Sequence, residues 1–340
     1  MQILRAEPLR PRNTLRLCSN AAALASVSNE AELGDALAWA RAEGLPVIPL
    51  GEGSNVVLAG DLEALVLNQQ AGAIHPLQKQ ADRVVLRVEA GCSWHRLVTQ
   101  SLQQGWYGLE NLALIPGQLG AAPIQNIGAY GVELERFVRA VHAVRIDDGV
   151  ALSLDPAECQ FGYRDSIFKR ELRDQVVITA VDMELSTNPT CDIHYPALRE
   201  ELAALGVESP RPQDVFNAVV NVRRRRLPDP AREPNAGSFF KNPVISGSHA
   251  DLLRNENPGL PCYEQDDGSV KLPAAWLIEE CGWKGQREGG VGVHPEHALV
   301  LVNYSASSGA QLLDFANRIA GSVESRFGVA LDLEPRIYGA

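Results

Sequence analysis

The chain has 340 residues, of which 45% are hydrophobic and 21% are charged, and its formal net charge is −11 at pH 7. This length exceeds one typical domain and predicts two or three, while the acidic balance disfavours a general nucleic-acid binder, which needs clustered cations to neutralise phosphates. Any anionic ligand must therefore meet a local cationic pocket.

The cysteines and the first residues indicate the class of protein and its compartment. Six cysteines are dispersed without a Cys-x-x-Cys pair, which favours reduced thiols over a zinc site or a redox pair. His294-Pro295-Glu296-His297 lacks the zincin spacing, so we expect no metal. The start at Met1 lacks a charged segment leading into an apolar core, and no later apolar run approaches a membrane span. We expect a cytoplasmic monomer that binds neither membranes nor nucleic acid.

The first predicted elements surround a glycine-rich loop. Apolar residues at helical spacing, a possible capping box of Asn29 with Glu32, and the stop signal of Gly44 predict a helix over residues 29–43. Strands are predicted over 47–50 and 56–58. The loop between them, Gly51-Glu52-Gly53-Ser54-Asn55, leads into a strand instead of a helix and lacks a third glycine. The pattern therefore excludes a Rossmann dinucleotide site.

The middle of the chain alternates strands and helices without regular βα repeats, which predicts an α+β organisation. An Asp148-Gly149 pair between apolar runs is typical of a hairpin. The other elements predicted here are a strand over 84–88, a helix over 93–104, a second glycine loop over 115–120 and a strand over 176–185.

A helix over 213–226 is predicted to end in four arginines, residues 223–226, which at a helix end are typical of a solvated face that complements the dipole. Pro228 and Pro230 then break regular structure and indicate a domain boundary. Two more helices are predicted, over 274–281 and 309–327.

The segment 235–243 sets the hydroxyl of Ser238, an ammonium and an amide beside a flexible glycine. With the two glycine loops, the block 161–166 and the late carboxylate of Glu334, the chain from Asn13 to Gly339 resembles the UDP-N-acetylenolpyruvoylglucosamine reductase (MurB) family. The resemblance implies an FAD-binding fold of the vanillyl-alcohol-oxidase/MurB superfamily, α+β in class. It implies two FAD-binding subdomains, residues 1–67 and 68–222, and a C-terminal α+β substrate-binding domain, residues 223–340, whose last strand returns to the flavin.

The resemblance implies non-covalent FAD as cofactor and NADPH as hydride donor. Glycine turns at strand ends expose backbone N–H groups that suit a pyrophosphate, although the first loop alone is as readily an ordinary tight turn. The family's cofactor contacts fall on Gly51, Gly53, Ser54, Asn55, Ile115, Pro116, Gly117, Gly120, Ala121, Ala122, Gln125, Asn126, Ile127 and Arg336.

The implied reaction reduces UDP-N-acetylglucosamine enolpyruvate to UDP-N-acetylmuramate for peptidoglycan synthesis. By position, Arg164 and Glu334 polarise the substrate carboxylate and Ser238 protonates the intermediate, although a serine after glycine is usually a turn residue and a glutamate usually lies at the surface. The implied substrate contacts are Tyr163, Tyr195 on a loop of the longer class of these reductases, Arg226 where a lysine is usual, Asn242, Lys284 and His297.

Two other functions are compatible with parts of this pattern. One is an FAD-linked oxidase of an alcohol, which would consume oxygen without NADPH. The other is a nucleotide-sugar binding module without chemistry, which would be colourless or would keep its colour in NADPH.

Overall fold

The computed structural model describes residues 1–340, and the chain forms two compact units that each combine distant segments. Unit 1 contains Met1–Glu7, Ala21–Glu52 and Glu63–Arg225; unit 2 contains Pro8–Asn20, Gly53–Leu62 and Arg226–Ala340. The three-domain division at residues 67 and 222 stays a prediction. The mixture of helices and strands agrees with the predicted α+β class.

The helices are α1 (Glu30–Glu43), α2 (Trp94–Gln103), α3 (Pro156–Cys159), α4 (Pro196–Ala204), α5 (Pro212–Arg226), α6 (Gly247–Glu256), α7 (Ala274–Glu280) and α8 (Gly309–Phe327). The strands are β1 (Ile3–Pro8), β2 (Asn20–Val27), β3 (Val47–Pro49), β4 (Val56–Leu58), β5 (Leu62–Gln69), β6 (Ile74–Lys79), β7 (Arg83–Glu89), β8 (Gly128–Ala129), β9 (Val132–Glu133), β10 (Val138–Arg145), β11 (Ala151–Leu154), β12 (Val176–Ser186), β13 (Asn235–Ser238), β14 (Val244–Ser246), β15 (Tyr263–Glu264), β16 (Ser269–Lys271), β17 (Arg287–Glu288), β18 (Val291–Val293), β19 (Val300–Asn303) and β20 (Arg336–Tyr338). None of the helices combines the length and apolar character that crossing a membrane requires.

Unit 1 begins with a four-stranded sheet, ordered β1-β2-β5-β3, on which α1 packs through one apolar face. The Asn29 side chain accepts a hydrogen bond from the Glu32 N–H, and Gly44 ends the helix at φ 69°. The predicted capping box is incomplete, because the Glu32 carboxylate accepts instead from the Ser28 N–H at 2.7 Å. The helix bounds nevertheless agree with the prediction within a residue.

The second sheet of unit 1 is antiparallel, ordered β11-β10-β12-β7-β6. The predicted hairpin joins β10 to β11, with Gly149 at φ 75° and the Asp148 carboxylate accepting from the Val150 N–H. One face of this sheet buries aliphatic residues against α2, α4 and α5 in the largest core of the unit. This core fixes the loops that follow α2 and precede β10.

Unit 2 is built on the sheet β13-β19-β18-β17, with α7 and α8 packed together and α8 against β18 and β19. Its small sheet β14-β16-β15 lies in the same unit. The last strand, β20, pairs in parallel with β4, so that Arg336 lies opposite Val56. The last strand of the chain thereby lies beside one of the first.

Candidate active site

The first glycine loop crosses from unit 1 to unit 2 between Glu52 and Gly53. In unit 1, a Cβ added at Gly51 would lie 2.9 Å from the Gln118 side-chain oxygen. In unit 2, Gly53 has φ 62°, and its carbonyl accepts a hydrogen bond from the Thr14 N–H at 3.1 Å. The Thr14 hydroxyl donates to the Asn235 carbonyl at 2.7 Å. Thr14 therefore links the Gly53 turn to the start of the Ser238 strand.

Replacing Gly53 with alanine is expected to destabilise the protein by at least about 2 kcal/mol, because a strained left-handed residue costs roughly 1–3 kcal/mol and the new Cβ would also lie 2.7 Å from the Asn13 Cα. The matched control is Gly206→Ala, which has φ 70° but no atom within 4 Å of the added Cβ. Urea unfolding of both variants measures the difference. Equal losses would show that the Gly53 turn is not tightly packed.

The second glycine loop shows that it can hold an anionic oxygen. Its Gly117 N–H donates to a carboxylate oxygen of Glu52 at 3.0 Å, and Gly117 itself has φ 109°. A Cβ at Gly120 would lie 2.8 Å from the Ala90 Cβ, so the backbone here approaches its neighbours more closely than any side chain permits. The Gly117 amide, which already meets one anionic oxygen, fits a phosphate group of FAD, whereas the Leu119 and Gly120 N–H groups donate to the Cys92 and Ala90 carbonyls.

Arg164 lies at the tip of a tight turn in unit 1. Gly162 and Asp165 exchange two backbone hydrogen bonds of 3.1 Å, which leaves Tyr163 and Arg164 as the central residues. Arg164 has φ 54°, a conformation that costs a residue with a side chain about 1–2 kcal/mol. Its guanidinium donates to the Gly128 carbonyl at 2.9 Å and lies 5.6 Å from the Tyr163 ring centroid. Strain at such a residue is characteristic of functional sites.

The side chains of Asn126 and Ser166 anchor this turn to the predicted flavin loop 125–127 and its flanks, and Lys169 hydrogen-bonds to the turn itself. Asn126 is fully buried and donates to the Gly162 carbonyl at 3.2 Å. Ser166, also fully buried, donates to the Ile124 carbonyl, and Lys169 donates to the Arg164 carbonyl at 3.0 Å. The Asn126 amide further bonds Glu133 and Glu135, so its side chain holds the loops together. Only its backbone stays a proposed cofactor contact.

An aromatic contact brings Tyr195 to the hairpin between β8 and β9, which follows the predicted flavin loop. Its ring packs edge-on against Tyr130, with centroids 5.4 Å apart, and Tyr130 sits beside Gly131 in the turn between β8 and β9. Both turn residues have positive φ, 50° and 82°, as a two-residue hairpin requires. Buried Asn111 donates to the carbonyls of Tyr130 and Asp192 and ties the two loops together. The sequence prediction did not identify Asn111.

In unit 2, the structure brings Ser238 and Glu334 into adjoining backbone segments. Ser238 pairs with Val300 at the end of β13, and the next residue, Phe239, accepts a hydrogen bond from the Glu334 N–H at 3.0 Å. Asn55 donates from its side chain to the Glu334 carbonyl and accepts from the Arg336 N–H at 3.0 Å. Predicted catalytic and cofactor residues from three distant parts of the chain therefore meet here.

A group of basic residues in unit 2 combines three of the predicted substrate contacts. His297 is partly buried, and Arg226, Lys284 and His294 all act electrostatically on it. Lys284 also pairs with Glu279 at 3.0 Å. Asn242 has a different place, since its side-chain oxygen accepts from the Ala274 N–H at the start of α7. The two cations, Arg226 and Lys284, with the imidazole of His297 beside them, suit a diphosphate in an otherwise acidic protein.

The pH dependence of stability is expected to report on this basic group. Burial first, then the neighbouring cations, lower the pKa of His297, so the folded protein keeps this imidazole neutral where the unfolded chain is protonated. Above the ordinary histidine pKa of about 6.5, the neutral state of His297 costs the folded protein no stability. Below that pH the unfolded chain takes up a proton more readily than the folded protein, so the free energy of unfolding decreases as the pH falls.

The measurement compares unfolding free energies at pH 7 and pH 5 for wild type and His297→Gln. The variant should lose less stability across this interval, with a difference of at most about 1.4 kcal/mol per pH unit. His194→Gln, at an exposed position, is the control. An unchanged pH dependence in His297→Gln would contradict the prediction.

The structure corrects the prediction for the arginine run. Arg224, Arg225 and Arg226 are exposed, but Arg223 is only partly exposed, and its Nε is buried without a hydrogen-bond partner. Helical spacing explains the difference, because Arg223 follows Phe216 by seven residues and shares its face of α5. The seven-residue spacing was the sequence signal that could have predicted this difference. It was overlooked because all four residues of the run carry the same charge.

These features define the class of protein as an FAD-dependent oxidoreductase, and residues 21–155 match the family model for an FAD binding domain. Residues 229–338 match the model described as UDP-N-acetylenolpyruvoylglucosamine reductase, C-terminal domain. The chain belongs to the UDP-N-acetylenolpyruvoylglucosamine reductase family, as the sequence resemblance predicted.

Relatives and a solved structure of this family match this chain over nearly its whole length. The UDP-N-acetylenolpyruvoylglucosamine reductase of Xylella fastidiosa (strain M12) is 49% identical over 334 residues, which cover 98% of this chain and 95% of the relative. That of Xanthomonas euvesicatoria pv. vesicatoria (strain 85-10) is 49% identical over 343 residues, covering 100% and 97%. The crystal structure of the Thermus caldophilus MurB reductase has a TM-score of 0.68 at 24% identity, covering 99% of this chain and 98% of that one, and shows the shared fold.

Proposed function

We propose that Arg164, Ser238 and Glu334 carry the chemistry of an NADPH-dependent reductase that converts UDP-N-acetylglucosamine enolpyruvate to UDP-N-acetylmuramate. The reaction is a step of peptidoglycan precursor synthesis, and so of cell-wall formation, cell shape and division. Bound FAD would supply the transfer of hydride from NADPH to the enolpyruvyl methylene carbon. The protein must then hold the substrate carboxylate and supply one proton.

Arg164 has the properties needed to hold the carboxylate. Hydride addition at the methylene carbon pushes electrons toward the carboxylate, and a guanidinium can bind both of its oxygens while the charge develops. The strained turn, its two side-chain anchors and the hydrogen bond from Lys169 hold the guanidinium in place before substrate arrives. Such preorganisation lowers the reorganisation required during the reaction.

Ser238 is assigned the proton that completes the reduction at the carbon next to the carboxylate. Its hydroxyl is partly exposed on the last residue of β13. Glu334, beside Phe239 in the same unit, is assigned the polarisation of the substrate and must be protonated or paired with a cation, because a bare carboxylate would repel the developing anion. The meeting of Asn55, Ser238 and Glu334 in unit 2 is the observation that carries this assignment.

The cations Arg226 and Lys284, with His297, are assigned to the UDP diphosphate, with Tyr163, Tyr195 and Asn242 as further substrate contacts. The loops Gly51–Asn55, Ile115–Ala122 and Gln125–Ile127, with Arg336, are assigned to FAD. We further propose that the protein acts as a cytoplasmic monomer.

The reductase function is tested by following flavin absorbance under anaerobic conditions. NADPH should bleach the bound flavin, and one equivalent of the enolpyruvyl substrate should restore the colour with formation of UDP-N-acetylmuramate. An oxidase would instead be reduced by an alcohol and reoxidised by oxygen. A colourless protein, or flavin that substrate does not reoxidise, would contradict the proposal.

Replacing Arg226 with alanine is expected to weaken binding of the UDP-linked substrate by roughly 10-fold or more, because a charge-assisted hydrogen bond contributes about 1.5–3 kcal/mol. Isothermal titration of the oxidised protein with substrate measures the change. Arg232→Ala, an exposed arginine of the same unit, is the control and should bind normally. An unchanged affinity in Arg226→Ala would remove this residue from the site.

A further inference from the structure

Arg223 is a partly exposed cation with a buried Nε, and the assignments above do not use it. Its Nε is buried without a hydrogen-bond partner, and the structure gives this side chain no ion pair, whereas Arg225 two residues on pairs with Glu201. A guanidinium N–H that is buried without an acceptor is unfavourable. A guanidinium in such a place indicates that an anion completes the site when a ligand binds.

The neighbours of Arg223 place it within the candidate site of unit 1. On the same face of α5, Phe216 stacks on His95 with centroids 5.7 Å apart, and the His95 Nδ1 accepts from the Leu114 N–H beside the second glycine loop. Arg223 interacts electrostatically with Tyr130 and Arg164. It therefore lies near the hairpin between β8 and β9 and within electrostatic range of the arginine assigned to the carboxylate.

The charges around Arg223 favour a small, concentrated anion. Burial lowers the pKa of Arg223, Tyr130 raises it, and the positive charge of Arg164 lowers it again. Two guanidinium groups that repel each other are both stabilised by one anion held between them. The cations Arg226 and Lys284 are already assigned to the diphosphate of the substrate. The remaining anionic group of the proposed substrate is its carboxylate.

We propose that Arg223 is a second cation for the substrate carboxylate, acting with Arg164 on the ground-state anion and on the charge that develops during hydride addition. This inference rests on the proposed function. It assigns Arg223 a binding role toward the enolpyruvyl group and none toward the UDP portion.

The test compares two ligands that share the UDP-sugar but differ in the carboxylate. Binding of the enolpyruvyl substrate and of UDP-N-acetylglucosamine to the oxidised protein, without NADPH, is measured by isothermal titration. Arg223→Gln should weaken binding of the enolpyruvyl substrate by about 30-fold or more and leave that of UDP-N-acetylglucosamine within about 2-fold, while Arg223→Lys should recover part of the loss. Arg224→Gln, exposed on the same helix turn, should bind both ligands normally.

A second measurement separates binding from folding. Because the Arg223 Nε has no hydrogen-bond partner and the side chain has no ion pair, Arg223→Gln should resist urea at least as well as wild type, whereas an arginine with a structural role would lower the midpoint. Equal weakening of both ligands, or no weakening of either, would overturn the proposal. So would slower bleaching by NADPH with unchanged ligand binding, because Arg223 would then act on the flavin. A wild type that does not bind the enolpyruvyl substrate more tightly than UDP-N-acetylglucosamine would reject the proposed function itself.

Discussion

Replacing Ser238 with alanine is expected to leave NADPH-dependent bleaching of the flavin unchanged and to slow reoxidation by the enolpyruvyl substrate by roughly 10²- to 10⁴-fold. The hydroxyl is assigned the proton given to the carbon next to the carboxylate, a step that belongs only to the second half-reaction. Without it, the proton must come from water that is not held in position. Anaerobic stopped-flow absorbance measures the two half-reactions separately on one sample.

The control for this variant is Ser248→Ala, an exposed serine of the same unit. It should be reduced and reoxidised at wild-type rates. If Ser238→Ala is reoxidised normally, the proton has another source and Ser238 has no catalytic role. If both half-reactions slow equally, the substitution has disturbed the cofactor site instead of the proton transfer.

Replacing Arg164 with methionine is expected to lower kcat/KM for the enolpyruvyl substrate by about two to three orders of magnitude, because loss of one partner of a buried charge pair costs roughly 2–5 kcal/mol. Bleaching by NADPH should continue. Arg164→Lys should recover little of the activity, since an ammonium cannot bind both carboxylate oxygens or keep the guanidinium contact with Gly128.

Arg173→Met, at an exposed arginine nine residues along the chain, controls for the loss of charge and should retain activity. Full recovery by lysine would show that charge alone is needed at residue 164, which would contradict the assignment of two-oxygen binding. Urea unfolding of each variant separates lost activity from lost stability. Removal of the left-handed arginine by Arg164→Gly is expected to preserve stability, because glycine adopts this conformation freely.

Local elements of the fold were predictable because their signals lie close together in the sequence. Asn29 and Gly44 mark the ends of α1, and Asp148-Gly149 marks the hairpin between β10 and β11. The glycine loop at Gly53 leads into a strand, as its pattern predicts. Each of these signals depends on neighbouring residues and on backbone conformation.

Placement of the site residues relative to one another was predictable only through the family resemblance. Composition and periodicity do not indicate that the Glu334 N–H bonds the Phe239 carbonyl, or that Thr14 links Gly53 to Asn235, because nothing near either residue in the sequence encodes a contact so distant. The positive φ of Arg164 was not predictable from its residue type either, since a side chain disfavours it. The strain persists because surrounding residues determine the turn.

The internal role of Asn126 and the burial of Arg223 were missed for different reasons. Asn126 lies in a motif that the family assigns to the cofactor, and its three side-chain hydrogen bonds become evident only once the Gly162 turn is placed. The burial of the Arg223 Nε was missed because Arg223 lies in a run of four arginines, of which the other three are exposed. In both cases the tertiary environment, and not residue type, determines the role.

The parallel pairing of β20 with β4 has a consequence for the nascent chain on the ribosome. Val56 emerges early, but its partner Arg336 is synthesised roughly 280 residues later, which at about 5–20 residues per second is a wait on the order of 15–60 s. During that interval an apolar strand has no permanent neighbour. Truncated products that lack the last residues should therefore be recognised by chaperones and proteases, and an affinity tag is better placed at the amino terminus than after Ala340.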